Sequence, residues 1–377
     1  MTPTALKQQI PSSPAYVFDR DIMLSALQKI DLIRRQSGCK VLYSIKSLPL
    51  TQVLQWLLPY VDGFSVSSLF EARLADEILA GQGSLHLTTP GVRPDEAAEL
   101  TRLCSHISCN SLNQYRLFSG LETQCAAIGV RLNPALSFLT DERFDPCRPF
   151  SKLGIPLAEL EAARTIAPIR GLHFHTVFSA LDFEPLIRTL AIIRTQLGEK
   201  FTQIEWLNLG GGYLYNQIAD TDAFVESVRS LKAEFDLDVF IEPGKAIVGE
   251  AGYLLTTVID CITNDGKNIA VLDTSVNHHP EVFEYQMSPT LHEHRPNGRH
   301  SAILAGSTCL AGDIFGEYRF DDPLKMGDKL LFKQVGAYSL VKANRFNGYN
   351  LPDIYALEAG RPTLLKNYRY QDYRGQW

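Results

Sequence analysis

Lys46 ends the stretch "VLYSIKS", in which a lysine follows a run of β-prone and mostly apolar residues. Lysine is among the side chains that are buried least often, so its position at the end of a buried strand needs an explanation. A lysine at a strand edge can simply extend its amine into solvent. An amine that is partly removed from water can instead form a Schiff base with a carbonyl compound, which is the functional interpretation.

Gly210, Gly211 and Gly212 follow the β-prone stretch "WLNL". A tight turn is the simpler interpretation of such a run. A glycine run between a strand and a helix also exposes backbone N–H groups, which bind phosphate well.

Glu242 comes directly after the apolar run "VFI". A carboxylate at the end of a buried strand needs a cation or an N–H group as its partner. An ion pair with Arg131 is one possibility. The functional alternative is a protonated pyridine nitrogen, which a carboxylate accompanies in pyridoxal enzymes.

These residues follow β-prone runs that alternate with helical patterns between about residue 40 and residue 244. The runs are "VLYSIK", "GFSVSS", "LHLTTP", "HISCNS", "IGVRLNP", "LHFHT", "WLNLGGG" and "VFIEPG". Apolar residues recur at helical spacing between them, as in "EPLIRTLAIIRTQL". Strand–helix alternation predicts parallel strands with helical crossovers, and eight of them predict an α/β fold, the TIM (β/α)8 barrel. A doubly wound open sheet is the alternative.

The barrel is favoured because polar residues fall where its strands end, at the face on which such barrels carry their active sites. These residues are Lys46, Ser65, Ser67, Thr89, Asn110, Arg131, His175, Gly210, Gly211, Gly212 and Glu242. The alternation of His173 and His175 is expected to direct one ring into the barrel and the other toward the helices. A strand histidine is more often structural, but an imidazole at the barrel mouth can stack on a planar ring.

From about residue 251 the chain consists of β-prone runs separated by turn residues. This pattern predicts an all-β C-terminal domain resembling a β-barrel or sandwich. The predicted domains are therefore a cofactor-binding barrel over residues 21–250 and a β domain over residues 251–377. The strand-like stretch "AYVFDR", which begins within residues 1–20, is expected to join the β domain. Asn264-Asp265-Gly266 is expected to form a turn.

Together, these side chains indicate an enzyme that uses pyridoxal 5'-phosphate. The lysine would bind the aldehyde of the cofactor, and the glycines would bind its phosphate. The glutamate would pair with the ring nitrogen, and a histidine would cover one face of the ring. The sequence resembles the fold-type III pyridoxal phosphate decarboxylases, and within them the carboxynorspermidine (carboxyspermidine) decarboxylase family. The resemblance covers nearly the whole chain, and "FDPCRPFSKLG" and "STCLAGD" are its most specific stretches.

The resemblance implies a role for each matching residue. For the cofactor, these are Lys46 as the Schiff-base lysine, His175 on the ring, Glu242 at the pyridine nitrogen, Arg131 at the ring edge, and Gly211, Gly212, Gly244, Lys245 and Tyr338 around the phosphate. Cys309 and Asp313 would come from the partner subunit of a homodimer with shared active sites. Cys309 would protonate Cα after carbon dioxide leaves, and Asp313 would hold a substrate amine.

Two positions depart from the wider group. Ser65 stands where the group often has an acidic residue. Lys245 stands where ornithine decarboxylases have arginine, so the bidentate geometry of a guanidinium is lost there.

The expected reaction is decarboxylation of carboxynorspermidine or carboxyspermidine to norspermidine or spermidine, a step of polyamine biosynthesis. A polycationic tail needs carboxylates, for which Asp273, Glu281 and Asp313 are candidates together with Glu242, whereas Glu284 is expected to be a surface acid. The alternatives are a decarboxylase of ornithine, arginine or diaminopimelate, a racemase, and a non-catalytic homologue that binds the cofactor. A histidine on the cofactor face argues against the racemase.

Composition excludes several other classes. The net charge is −6 and no Lys/Arg-rich run occurs, which argues against nucleic acid as a partner. No apolar stretch is long enough to span a bilayer, and the N-terminus lacks the apolar region of a signal peptide. Seven scattered cysteines indicate free thiols in a reducing cytoplasm. His278 and His279 lack a third ligand at useful spacing, so no metal is expected.

Overall fold

The computed structural model describes residues 2–122, 125–162 and 169–377. The chain forms two compact units, one comprising Ser25–Ile247 and the other comprising Met1–Leu24 with Val248–Trp377. Within the described ranges, no helix is long and apolar enough to cross a membrane.

The strands are, in chain order, β1 (Ala15–Asp19), β2 (Lys40–Ser44), β3 (Gly63–Val66), β4 (Ser84–Thr89), β5 (His106–Cys109), β6 (Ala127–Asn133), β7 (Ile155–Pro156), β8 (Gly171–Phe174), β9 (Trp206–Asn208), β10 (Asp238–Ile241), β11 (Gly252–Asn264), β12 (Lys267–Leu272), β13 (His300–Ala305), β14 (Ile314–Phe320), β15 (Lys329–Lys333), β16 (Asp353–Glu358) and β17 (Arg361–Lys366). The α-helices are α1 (Pro3–Gln9), α2 (Arg20–Ser37), α3 (Thr51–Leu57), α4 (Leu69–Leu79), α5 (Ala97–Leu103), α6 (Leu112–Ser119), α7 (Leu157–Ala162), α8 (Glu184–Leu197), α9 (Asp222–Phe235), α10 (Lys245–Val248), α11 (Glu281–Tyr285), α12 (Ser339–Lys342) and α13 (Tyr370–Arg374).

The first unit is a closed parallel barrel. Its strands pair in the order β2, β3, β4, β5, β6, β8, β9 and β10, and β10 pairs with β2 again. The short strand β7 adds to β6 outside this ring. Closure confirms the predicted (β/α)8 barrel and excludes an open sheet. Each of the eight predicted β-prone runs overlaps one barrel strand.

Trp206 is buried in the barrel, and two glycines make room for it. A Cβ on Gly171 would lie 1.8 Å from Cε2 of Trp206, and one on Gly129 would lie 2.5 Å from its Cζ2. Leu42 and Phe240 pack in the same buried cluster. A larger residue at either glycine would therefore displace the indole from the core.

The second unit is built around a mixed sheet in the order β14, β13, β12, β11, β1, β16 and β17, with β15 paired to β11. The N-terminal strand β1 lies between β11 and β16, so this unit contains both ends of the chain. Asp265 and Gly266, with φ of 47° and 75°, join β11 to β12 directly. The predicted turn is thereby confirmed, since two-residue hairpin loops favour positive φ at both positions.

Two histidines stack inside the barrel. His86 and His106 have ring centroids 4.0 Å apart and planes within 10°. Burial lowers the pKa of His86 well below its usual value and that of His106 to about 4. Both rings are therefore neutral in the folded protein at neutral pH.

We expect these rings to make the barrel sensitive to acid. The unfolded chain gains protons on its histidines below about pH 6.5 while the folded barrel does not, so the unfolding free energy falls by about 1.4 kcal/mol per pH unit for each ring. His86→Leu should reduce the fall between about pH 7 and pH 5 by about 2 kcal/mol in urea unfolding. His300→Leu, at a partly exposed site in β13, is the control. An unchanged pH dependence in His86→Leu would contradict the assignment.

Candidate active site

Lys46 lies in the single turn Ile45–Ser47 that follows β2. Solvent reaches its side chain, yet the surrounding protein removes enough water from the ammonium to lower its pKa. Glu242 and Glu71 oppose the shift, whereas the positive charge of Arg131 adds to it. A lowered pKa increases the fraction of neutral amine, the form that attacks a carbonyl.

Glu242 directly follows β10 and is 5% exposed. The amide Nδ2 of Asn208 donates to its Oε1 at 2.8 Å. The Oδ1 of the same amide accepts the Gly210 N–H at 2.8 Å. Only the amide oxygen of Asn208 can accept the Gly210 proton, so the amide nitrogen must face Glu242. The Glu242 carboxylate is thereby held in place as a hydrogen-bond acceptor.

Arg131 lies in β6 and is 8% exposed. Burial lowers its pKa to about 10, and Glu242 opposes the shift. Among the described residues its guanidinium has no hydrogen-bond or ion-pair partner, so the direct Arg131–Glu242 ion pair considered above does not form. At a pKa of about 10 the group stays charged at neutral pH. A buried and unpaired cation suits an anionic ligand.

The expectation that His173 and His175 point to opposite sides does not hold, because residues two apart along a strand share a face. His173 Nε2 lies 3.9 Å from Glu242 Oε2. His175 follows β8, and its Nδ1 accepts the Gly211 N–H at 3.1 Å. Burial lowers the pKa of both rings well below the usual value. Both imidazoles are therefore neutral beside Lys46.

The glycine run after β9 approaches neighbouring backbone closely. A Cβ on Gly211 would lie 2.3 Å from the carbonyl oxygen of Glu242, and one on Gly212 would lie 2.1 Å from that of Val177. The Ala180 N–H donates to the Gly212 carbonyl at 2.8 Å. Because the Gly211 N–H is used by His175, Gly212 supplies the N–H that has no acceptor among the described residues.

These groups fit pyridoxal phosphate. They provide an amine of lowered pKa for an aldehyde, a fixed carboxylate for a pyridinium nitrogen, an unpaired guanidinium and a glycine loop with a free N–H. The cradle that Gly211 and Gly212 form would be filled by any side chain.

In the β unit, Cys309 is exposed, and its N–H donates to Oδ1 of Asn347 at 2.8 Å. Asp313 is 2% exposed. Its carboxylate accepts the Val276 N–H at 2.8 Å and the Thr308 N–H at 3.0 Å, and also the Thr308 hydroxyl. Asp313 therefore fixes the loop that carries Cys309.

The other predicted acids of this unit also have partners. Asp273 accepts the Thr256 hydroxyl at 2.7 Å and the Thr257 N–H at 2.9 Å. Glu284 forms an ion pair with Lys342. Glu281 is 5% exposed.

Tyr338, predicted at the phosphate, has a positive φ of 61°. Burial raises the pKa of its hydroxyl to about 12, and Glu281 adds to the shift. The hydroxyl is therefore a neutral donor at neutral pH. The neighbouring His278 and His279 are hydrogen-bonded to Thr274 and Ser339.

Two residues of the barrel site were not predicted from the sequence. Asn208 stands two positions before the glycine run, and this spacing was the available signal. Glu71 lies in the helix-start pattern "SLFE", where its N–H donates to Ser68 Oγ and its carboxylate accepts the Ser67 N–H. Such a pattern normally indicates only a helix cap.

A (β/α)8 barrel with this set of groups at the ends of its strands defines a pyridoxal phosphate enzyme. The model of the family "Pyridoxal-dependent decarboxylase, C-terminal sheet domain" matches residues 15–336. The chain belongs to the pyridoxal-dependent decarboxylases, so its cofactor is pyridoxal phosphate.

Similar proteins cover nearly the whole chain. The carboxynorspermidine/carboxyspermidine decarboxylase of Herminiimonas arsenicoxydans is 34% identical over 96% of this chain and 98% of its own length. The carboxyaminopropylagmatine decarboxylase of a Synechocystis species is 34% identical over 97% of this chain and 95% of its own length. The crystal structure of carboxynorspermidine decarboxylase from Campylobacter jejuni, complexed with norspermidine, matches with a TM-score of 0.88 at 29% identity, over 97% of this chain and 100% of that one.

The contact between Asn208 and Glu242 can be tested by placing a second carboxyl group at position 208. Asn208→Asp would set two carboxyl groups at the present contact of 2.8 Å, where they share a proton. The pKa of the pair in the folded variant then lies above the unfolded value of about 4. The part of the unfolding free energy that the shared proton contributes is therefore present at low pH and is lost as the pH rises. We expect a larger loss of unfolding free energy at about pH 8 than at about pH 5, measured by urea unfolding. Asn208→Leu removes the donor without adding a second carboxyl group, so as the control it should show a smaller difference between the two pH values.

Proposed function

We propose that this protein decarboxylates carboxynorspermidine or carboxyspermidine to norspermidine or spermidine. The observation that carries the proposal is the nearly full-length similarity to a relative of that name, at 34% identity. The barrel site supports the reaction type, because the lysine of lowered pKa lies near the carboxylate that Asn208 orients.

Pyridoxal phosphate, when bound, supplies a protonated pyridine ring that accepts the electron pair left on Cα when carbon dioxide departs. Lys46 would hold the aldehyde carbon through its neutral amine. Glu242, fixed by Asn208, would keep the ring nitrogen protonated. The neutral ring of His175 would cover one face of the cofactor and exclude water there. Arg131 would hold the negative charge at the ring edge.

We further propose that Gly211, Gly212, Gly244, Lys245 and Tyr338 surround the phosphate. The free N–H of Gly212 and the neutral hydroxyl of Tyr338 are donors suited to it. A phosphate accepts such donors strongly because it is charged.

Cys309 is the proposed acid that returns a proton to Cα, and its exposure leaves the thiol free to reach a substrate. For the amine tail we propose Asp273, Glu281 and Asp313. An ionised carboxylate has about four acceptor positions. Donors of the chain use two of these positions at Asp273 and three at Asp313, so both carboxylates retain a position for an amine. Asp313 also holds the Cys309 loop through its bonds to Thr308.

A second substrate is supported by the Synechocystis relative, whose name specifies carboxyaminopropylagmatine. The agmatine part of that substrate carries a guanidinium group. Both tails are cationic, so the same carboxylates could receive either.

The experiment is carbon dioxide release by the purified protein from carboxynorspermidine, carboxyspermidine, carboxyaminopropylagmatine, ornithine, arginine and diaminopimelate. We expect the first two to give the highest kcat/KM. Their mutual ratio should be modest, because one methylene changes binding by only about 1–3 kcal/mol. Borohydride reduction should fix the cofactor on Lys46, as peptide mapping would detect, and Lys46→Met should abolish both the label and turnover. Highest activity on ornithine or diaminopimelate would overturn the substrate assignment.

We also propose a homodimer with shared active sites, in which Cys309 serves the partner's barrel. Around the Cys309 loop, the apolar side chains of Phe283, Ile314 and Phe346 are exposed by 53%, 41% and 46%. Exposed apolar groups of this kind are common at subunit interfaces. A cytoplasmic location is proposed as well, on the ground that the cysteines are free thiols.

Mixing two inactive variants tests the shared site. Lys46→Met and Cys309→Ala each remove one proposed component, so each alone should be nearly inactive. After the two are unfolded and refolded together, half of the dimers should be mixed and have one intact site, which restores about a quarter of the wild-type activity. Light scattering gives the mass of the particle. No recovery from a refolded dimer would mean that each site is built from a single chain.

A further inference from the structure

Lys245 begins helix α10, directly after Gly244. Its Nζ lies 5.2 Å from the centroid of the Phe178 ring. Within the described part of the chain, it has no carboxylate within ion-pair distance. The ammonium is therefore positioned against an aromatic face rather than against an anion.

The Phe178 ring is itself held in place. Phe144 stacks on it with centroids 5.0 Å apart and planes within 13°. Phe144 lies in the stretch "FDPCRPFSKLG", and Phe178 in the stretch "HTVFSAL" after β8. Two loops far apart in the sequence thus form one aromatic stack beneath the lysine.

The segment that carries Phe178 is attached to the glycine loop. The Ala180 N–H donates to the Gly212 carbonyl at 2.8 Å, and the Leu214 N–H donates to the Ala180 carbonyl at 2.9 Å. Gly212 also contacts the Val177 carbonyl so closely that no Cβ would fit. The ring under Lys245 is therefore fixed to the loop that offers the free Gly212 N–H.

An aromatic platform suits a lysine that must bind an anion. A carboxylate partner would position the ammonium but would also neutralise it and occupy its donors. The face of a ring attracts the cation through its quadrupole and leaves its N–H groups available. Lysine lacks the rigid fork of arginine and loses considerable side-chain freedom on binding, so prior positioning reduces that loss.

We propose that Phe178, supported by Phe144, positions the Lys245 ammonium for the phosphate of the cofactor. Phe178 is a positioning residue that acts through Lys245. This inference rests on the proposed function, in which Lys245 lies at the phosphate.

The test compares two ligands on the full-length protein after removal of its cofactor. Pyridoxal phosphate and pyridoxal differ only in the phosphate, and both can attach to Lys46. Dissociation constants are measured by absorbance titration. Phe178→Leu should weaken binding of pyridoxal phosphate by about 2- to 30-fold, the range of a cation–π contact, and leave pyridoxal binding unchanged. Phe178→Tyr keeps a ring face and should bind both ligands as the wild type does.

Coupling to the lysine completes the test. Lys245→Met should also weaken only pyridoxal phosphate, and Phe178→Leu should add no further loss in the Lys245→Met background. Two results would overturn the inference. One is that Phe178→Leu weakens the binding of both ligands equally, and the other is that it weakens binding by its full amount even in the Lys245→Met background. Either would mean that Phe178 only packs against the site and does not act through Lys245. Failure of the wild type to bind either ligand would instead overturn the proposed function, and this inference with it.

Discussion

The buried carboxylate of Glu242 is the constraint on which the barrel site depends. A carboxylate that leaves water must find donors inside the protein, and the Asn208 amide supplies one at 2.8 Å. The other end of that amide is fixed by the Gly210 N–H. One side chain therefore links the carboxylate to the start of the glycine loop, so the groups proposed for the ring nitrogen and for the phosphate are positioned relative to each other before the cofactor binds.

Close backbone approach is the second requirement. The glycine loop lies against the carbonyl groups of Glu242 and Val177 at distances that leave no space for a Cβ. Because the segment after β8 is bonded to this loop, its side chains are positioned with comparable precision. The contact between Phe178 and Lys245 follows from this arrangement.

Sequence patterns predicted the barrel and the residues at its strand ends, because strand–helix alternation has few physical solutions and such barrels carry their active sites where the strands end. They failed where side-chain direction or partners mattered. His173 and His175 were expected on opposite sides, although residues two apart share a face. The hydrogen bonds of the Asp313 carboxylate were not predicted, and one of them comes from the N–H of Val276, which is far away in the sequence. No local pattern contains that information.

The sequence by itself determined the order of strands and helices, the hairpin at Asp265-Gly266 and the chemical types gathered at the barrel mouth. These features follow from local periodicity, from turn chemistry and from the parallel direction of the strands. Only the tertiary structure decided that Asn208 orients Glu242, that Arg131 has no ion-pair partner among the residues described, and that Phe178 lies beneath Lys245. These features depend on side chains from different strands or loops, and the distances between them depend on how the barrel closes.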